Sequence, residues 1–166
     1  ACRAAALCAF IYRLESGVFA HPALRINPPA AGILLRVIKM RKAKEYSLVY
    51  AVGAVGYSAI ELLWRGWTHW SMTLTGGACF LGFHLLNGRF SDEALCFRCL
   101  RGCWLITAIE FCVGCVVNLW LHLQVWDYSK LRGNLFGQVC PLYTVLWFFL
   151  CIPMSYVSRG LRKLTR

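Results

Sequence analysis

The chain has 166 residues, of which 59% are hydrophobic, and its formal net charge is +11. A soluble domain of this size is usually about 45–50% apolar, and the excess here is gathered in runs long enough to cross about 30 Å of hydrocarbon. Because the basic residues lie between and beyond those runs, the charge argues against nucleic acid as a partner and indicates a lipid bilayer. We therefore predict an integral membrane protein.

The first 45 residues differ from the rest of the chain. Residues 4–11 are apolar but too short to span a bilayer, and the prolines of 27–32 predict a break. In 33–44, ILLRVIKMRKAK, the apolar residues fall on one helical side and Arg and Lys lie elsewhere. This pattern predicts a basic amphipathic helix on an anionic membrane surface. An ordinary solvated linker helix is the alternative.

Four candidate spans follow, and we predict an all-α membrane domain of about four transmembrane helices in two hairpins. The second span is short and contains Gly76–Gly77, where we expect an irregular or tilted helix. Pro141 and Pro153 predict kinks in the fourth span. The spans are placed at about 46–64, 72–87, 103–123 and 135–157.

The basic residues are distributed unevenly over the segments that connect these spans. The segments before the first span, between the second and third, and after the fourth hold eight, three and four Lys or Arg, whereas the other two hold one and two. The positive-inside rule therefore predicts that both termini are cytoplasmic and that the protein lies in the cell membrane. The predicted domains are a basic cytoplasmic segment at 1–45, the membrane domain at 46–157 and a basic tail at 158–166.

A polar stripe runs along the third predicted span. Thr107, Glu110 and Asn118 share one side of the helix, with apolar residues opposite. An ionised carboxylate at the bilayer centre costs at least about 2.5 kcal/mol, so Glu110 is expected to face other helices. With Glu61 and Tyr57 of the first span, these residues form a candidate intramembrane polar path. The alternative is a neutral Glu110 that only bonds one helix to another.

We expect Glu110 to find Tyr, Thr, Asn or another carboxyl from the first or fourth span. We also expect the WDYS motif, residues 126–129, to anchor the third span, with Trp126 and Tyr128 half buried and Asp127 capping or pairing near the start of the fourth.

A second polar group falls at the external ends of the spans. We call it the outer polar cluster, and it consists of Arg65, His69, Asp127, Tyr128, Asn134 and Gln138. Glu61 and Arg65 are spaced i,i+4 in the order that favours an ion pair. The scattered spacing of the cluster does not predict a metal site.

The cysteines and the search for enzyme motifs do not identify a chemical reaction. The spacing of Cys96, Cys99 and Cys103 is compatible with metal binding or redox chemistry as well as with simple burial. The chain contains no nucleotide-binding motif and no hydrolase motif of the common kinds. We predict no cofactor.

Two segments carry a resemblance to a known family. They are GYSAIELLWRGWTHWSMTLTGGACF at 56–80 and ITAIEFCVGCVVNLWLHLQVWDYSKLRGNLFGQVCPLYTVLW at 106–147. Across about 46–157 the chain resembles the ABC-transporter type IV, or CmpB-like, membrane family of small multi-pass bacterial proteins. The chain departs from the family pattern at two places. The family carries Pro where this chain has Arg132, and it carries Leu-Pro-Phe-Ser where this chain has Pro-Leu-Tyr-Thr at 141–144.

The resemblance implies a permease-like transport component. Four spans are few for an ABC permease and no ATPase lies in this chain, so a separate ATPase subunit and a homo-oligomer are the implied partners. The alternatives are a membrane scaffold or partner subunit that does not transport, and a membrane-embedded enzyme or redox protein.

Overall fold

The computed structural model describes residues 28–165, and their side chains from residue 32 onward. This part of the chain is helical, with one isolated β-bridge between Leu135 and Val139 and no strand, which confirms the predicted all-α class. The apolar stretch at 4–11 lies outside the described residues. The α-helices are α1, Pro28–Arg65, α2, Trp70–Arg89, α3, Leu95–Gly114, and α4, Pro141–Leu164, and a π-helix, Cys115–Trp120, continues α3.

Helix α1 is one element of 38 residues that contains both the predicted amphipathic segment and the first predicted span. The helix at 33–44 is confirmed, and it continues directly into the span. The break predicted at 27–32 is wrong from residue 28 onward, because the helix begins at Pro28 and proline is tolerated in the first turn. Contacts between Cα atoms divide the chain into units at 1–42 and 43–166. In the described part of the first unit, the side chains of Ile33, Leu34 and Val37 are exposed.

Helix α2 runs without interruption through Gly76 and Gly77, so the expected irregularity there is wrong. Both glycines are buried, and they let α1 approach closely. A Cβ atom on Gly76 would lie 2.8 Å from Tyr57 Cγ, and one on Gly77 would lie 2.7 Å from Tyr50 Cζ. The helix has 20 residues, which gives a length of about 30 Å.

The boundaries of the last two predicted spans need correction. The helical part of the third span ends at Trp120, and residues 121–140 form an irregular loop. Pro141 does not kink the fourth span, because α4 begins there and proline is tolerated in the first turn of a helix. Pro153 lies inside α4, where its ring removes one backbone hydrogen bond.

The core lies among the four helices of the second unit. Phe83, Cys99 and Cys151 are almost completely buried there, and Val49 of α1 packs in the same cluster. Three described stretches are long and apolar enough to cross a membrane, namely Gly32–Arg65, Leu95–Trp120 and Pro141–Leu164. Helix α2, which contains the second predicted span, has the length but is not among them.

Candidate functional site

The side chain of Glu110 is buried inside the helix bundle. Its side chain is only 3% exposed, which agrees with the expectation that it faces other helices. The indole Nε1 of Trp147 on α4 donates a hydrogen bond of 2.6 Å to Glu110 Oε2. The partner is thus on one of the expected helices, but it is an indole and not one of the expected side chains. Among the described residues, no basic side chain pairs with Glu110.

Aromatic rings hold Trp147 in place. Its ring centroid lies 6.1 Å from that of Tyr57 on α1 and 6.4 Å from that of Tyr143 on α4. Tyr143 in turn stacks on Tyr128 of the loop at 4.4 Å. Such ring pairs add stability beyond their buried area. The orientation of the hydrogen-bond donor to Glu110 is therefore fixed by three elements.

A cavity of about 290 Å³ lies beside this pair, and all four helices contribute to its wall. Glu110, Trp147, Tyr57 and Thr75 bring polar groups to a wall that is otherwise apolar. The cavity has an open side, because several lining residues of α1 and α4 are exposed. They are Gly56, Ile60, Pro153 and Val157.

The structure brings together only part of the predicted polar path. Glu110 and Tyr57 border the same cavity. The hydroxyl of Thr107 instead pairs with that of Thr144 on α4, at 3.1 Å. Glu61 and Asn118 are buried, but each belongs to a separate set of contacts at the end of the bundle that carries the 121–140 loop.

The first of these sets joins α1 to the loop. Arg65 Nη1 donates to Glu61 Oε1 at 2.9 Å, and Arg65 Nη2 donates to the carbonyl oxygen of Val125 at 2.8 Å. The hydroxyl of Thr68 donates to the second oxygen of Glu61. The guanidinium of Arg65 also lies over the ring of Trp67. The predicted ion pair between Glu61 and Arg65 is present, and the hydrogen bond from Arg65 to Val125 joins the loop to α1.

The second set centres on Asn118 in the π-helix. Its Nδ2 donates to the carbonyl oxygen of Trp126 at 3.0 Å and to Gln138 Oε1 at 2.8 Å. Its Oδ1 accepts from the backbone N–H of Val125 at 2.7 Å. The indole of Trp126 donates to the backbone oxygen of Gln138 at 2.9 Å. The side-chain amide of Asn118 therefore bonds both to residues 125 and 126 and to residue 138 of the loop.

The WDYS motif does not anchor the chain in the way expected. Trp126 is 5% exposed and so fully buried, because its indole closes the loop, whereas Tyr128 is half buried as expected. Asp127 does not reach the start of α4, because its carboxylate accepts from the backbone N–H and the hydroxyl of Ser129, both at 2.8 Å. These bonds lower the pKa of Asp127, and burial raises the pKa of Tyr128.

The remaining members of the outer polar cluster have structural contacts of their own. The amide of Asn134 donates to the carbonyl oxygens of Ser129 and Leu131 and accepts from Gly137 N–H, which shapes the turn. His69 precedes α2, and its Nδ1 accepts from the backbone N–H of Ser71 at 3.3 Å. The cluster therefore does not converge on one point.

A buried polar network at the opposite end of the bundle was not predicted from the sequence. His84 Nε2 lies 2.9 Å from Glu45 Oε1, and His84 Nδ1 lies 2.9 Å from Ser158 Oγ. Asn87 Nδ2 donates to Ser158 Oγ at 3.1 Å, and Arg98 Nη1 donates to Asn87 Oδ1 at 2.9 Å. The i,i+3 spacing of His84 and Asn87 in an apolar helix is the signal that could have revealed it.

The cysteines of the Cys96–Cys103 segment do not share one environment. Cys96 is exposed, whereas Cys99 and Cys103 are buried in the core. Within residues 28–165, no group of three or more His, Cys, Asp or Glu side chains is placed to hold a metal ion.

Comparison with known families matches most of the chain. The family model described as "Putative ABC-transporter type IV" matches residues 45–164, which include α2, α3, α4 and the loop. No curated protein and no solved structure shows a significant match. Because the family model covers more than half of the sequence, the chain belongs to the ABC-transporter type IV (CmpB) family.

Proposed function

We propose that this protein is a membrane-spanning subunit of an ABC-type transport system and that Glu110 is its intramembrane carboxylate. The family supports transport as the general function. The observation that carries the finer proposal is the position of Glu110, which lies in the wall of a cavity between helices and has no cationic partner among the described residues. A purely structural carboxyl would gain more from a closed, fully paired environment.

The proposed arrangement has four spans with both termini in the cytoplasm. Three stretches qualify by length and hydropathy, and α2, at about 30 Å, is also long enough. The distribution of Lys and Arg supports this orientation. Reporter fusions after residues 68 and 131 should read as external, and a cytoplasmic signal at either would contradict the topology.

The family description supports a separate ATPase subunit as the proposed source of energy, and the 166 residues contain no G-x-x-x-x-G-K-[ST] motif. We expect an ATPase to bind the cytoplasmic side of the protein. Purification from native membranes in a mild detergent, followed by identification of the associated chains, tests this directly. An ATPase in fixed ratio to this chain is the expected result, and its consistent absence would contradict the transport function.

A non-transporting scaffold is the second candidate, and the hydrogen bond between Trp147 and Glu110 favours it, because this bond joins α3 to α4. Two variants separate the candidates. Glu110→Gln keeps an acceptor for the indole but removes the ionisable group, whereas Glu110→Leu also leaves the buried indole N–H unpaired.

For a transporter, the Gln variant should assemble normally but lose most of the ATP hydrolysis of the purified complex. For a scaffold, the Gln variant should leave the ATP hydrolysis of the purified complex unchanged. In both cases the Leu variant should show reduced thermal stability, which serves as the control for the loss of the hydrogen bond.

A further inference from the structure

The cavity beside Glu110 has the properties of a binding site. Its volume of about 290 Å³ gives room for roughly ten water-sized groups at about 30 Å³ each. Its wall is almost entirely apolar, so a ligand that fills it must be mostly hydrocarbon. A polar solute would lose its hydration without regaining hydrogen bonds.

One polar feature of this wall lacks a partner. Trp147 occupies Glu110 Oε2, but among the described residues no donor reaches Oε1, although the side chain is only 3% exposed. The ion pairs between described residues involve other carboxylates, those of Glu45, Glu61 and Glu93. A buried carboxyl group that has neither a counter-charge nor a second donor is costly to ionise, and a bound cation with N–H donors would supply both.

The cavity opens between α1 and α4. Gly56 and Ile60 lie on one side of the opening, and Pro153 and Val157 lie on the other, all four exposed. A Cβ atom built on Gly56 meets nothing within 4 Å, so this glycine leaves space that is not used for helix packing. If the helices cross the membrane, this opening faces the hydrocarbon of the bilayer.

From these observations we infer that the cavity binds a hydrophobic amine, which enters sideways from the bilayer. Its alkyl part lies between α1 and α4, and its ammonium group donates to Glu110 Oε1. This inference rests on the proposed function, because the opening faces lipid only if α1 and α4 span the membrane. It names the class of molecule that the transport system would carry.

Photo-cross-linking of the full chain in nanodiscs of zwitterionic phospholipid tests the inference. The probe is decylamine with a diazirine near the chain end, and its matched control is the corresponding alcohol. We expect the amine to label peptides that contain residues 53–60 and 150–157, and to bind at least about tenfold more tightly than the alcohol, because a charge-assisted hydrogen bond is involved. Equal binding of the alcohol would overturn the assignment of an amine.

Three variants locate the site. Gly56→Phe should reduce labelling by the amine at least about tenfold because the ring fills the opening, whereas Val55→Phe, at a neighbouring exposed position outside the cavity wall, should not. Glu110→Gln should reduce binding of the amine to the level of the alcohol. Unchanged labelling of Gly56→Phe would overturn the site. If Gly56→Phe does not fold, Val157→Phe on the other side of the opening takes its place in the test.

The binding test and the test of the proposed function can give different results, because binding is measured on this chain without an ATPase. Selective binding of the amine together with failure to recover an ATPase would retain the site and reject transport. Recovery of the ATPase without selective binding of the amine would retain transport and reject the site. Disulfide cross-links between two copies of a Gly56→Cys variant, absent from the unchanged protein, would show that a second copy covers the opening, which would also overturn the inference.

Discussion

Close packing of α1 against α2 depends on glycine, and Gly76→Ala is the variant that tests this contact most sharply. The added Cβ would lie 2.8 Å from Tyr57 Cγ and 3.2 Å from the carbonyl oxygen of Gly53. Carbon atoms pack at about 3.5–4.0 Å, so the two helices would have to move apart by roughly 1 Å. Overpacking of this kind costs about 1–3 kcal/mol, from which a gain in helix propensity of about 1 kcal/mol is subtracted.

Gly56→Ala is the matched control, because it makes the same chemical change inside a helix that packs in the same pair. A Cβ atom at Gly56 would meet nothing within 4 Å, so the substitution causes no overpacking. Alanine favours the helix more than glycine does. We therefore expect Gly56→Ala to be neutral or to stabilise the protein by up to about 1 kcal/mol.

The gain in helix propensity is common to both variants, so they should differ by the overpacking cost alone, about 1–3 kcal/mol in the free energy of unfolding. Thermal unfolding of the purified proteins in the same detergent, followed by far-ultraviolet circular dichroism, measures this difference. Equal stability of the two alanine variants would refute the close approach of α1 and α2 at Gly76.

Three further predictions concern the loop at 121–140. Asn118→Leu should lower stability by about 2–4 kcal/mol, because three hydrogen bonds of the amide are lost, and unchanged hydrogen exchange in the loop would contradict this. Gly137→Ala should cost about 1–2 kcal/mol by thermal unfolding, because φ is +69° there. Since hydrogen bonds from Ser129 lower the pKa of Asp127, the stabilisation is present above the ordinary value of about 3.8 and is lost as the pH falls through the lower folded value. Asp127→Asn should remove that dependence in proteolysis of the loop between about pH 2 and 5.

Much of the helical architecture follows from the sequence, because apolar runs and their polar stripes are local patterns. The burial of Glu110 could be predicted from the stripe it shares with Thr107. The continuity of α2 could not be predicted, because Gly76 and Gly77 weaken a helix locally. Their role in packing against the rings of Tyr57 and Tyr50 on another helix is visible only in the folded structure.

Contacts between distant segments account for the other differences. The third span ends early because Asn118 bonds to loop groups that lie up to 20 residues further along the chain. The network around His84 joins residues 39 and 74 positions apart. Sequence spacing carries no information about such pairs until the packing of the helices is known.

The accessibility of Glu110 from the bilayer is the central claim, and a hydrophobic carbodiimide tests it most directly. Membranes that contain the protein are treated with dicyclohexylcarbodiimide, and the modified carboxyl groups are located by peptide mass spectrometry. Glu61 is the internal control, because it is equally buried but paired with Arg65. We predict that Glu110 forms the carbodiimide adduct whereas Glu61 does not, and that N,N-dimethyldecylamine, a tertiary amine that cannot form an amide with the activated carboxyl, prevents it. An unmodified Glu110, or modification that this amine leaves unchanged, would contradict the account.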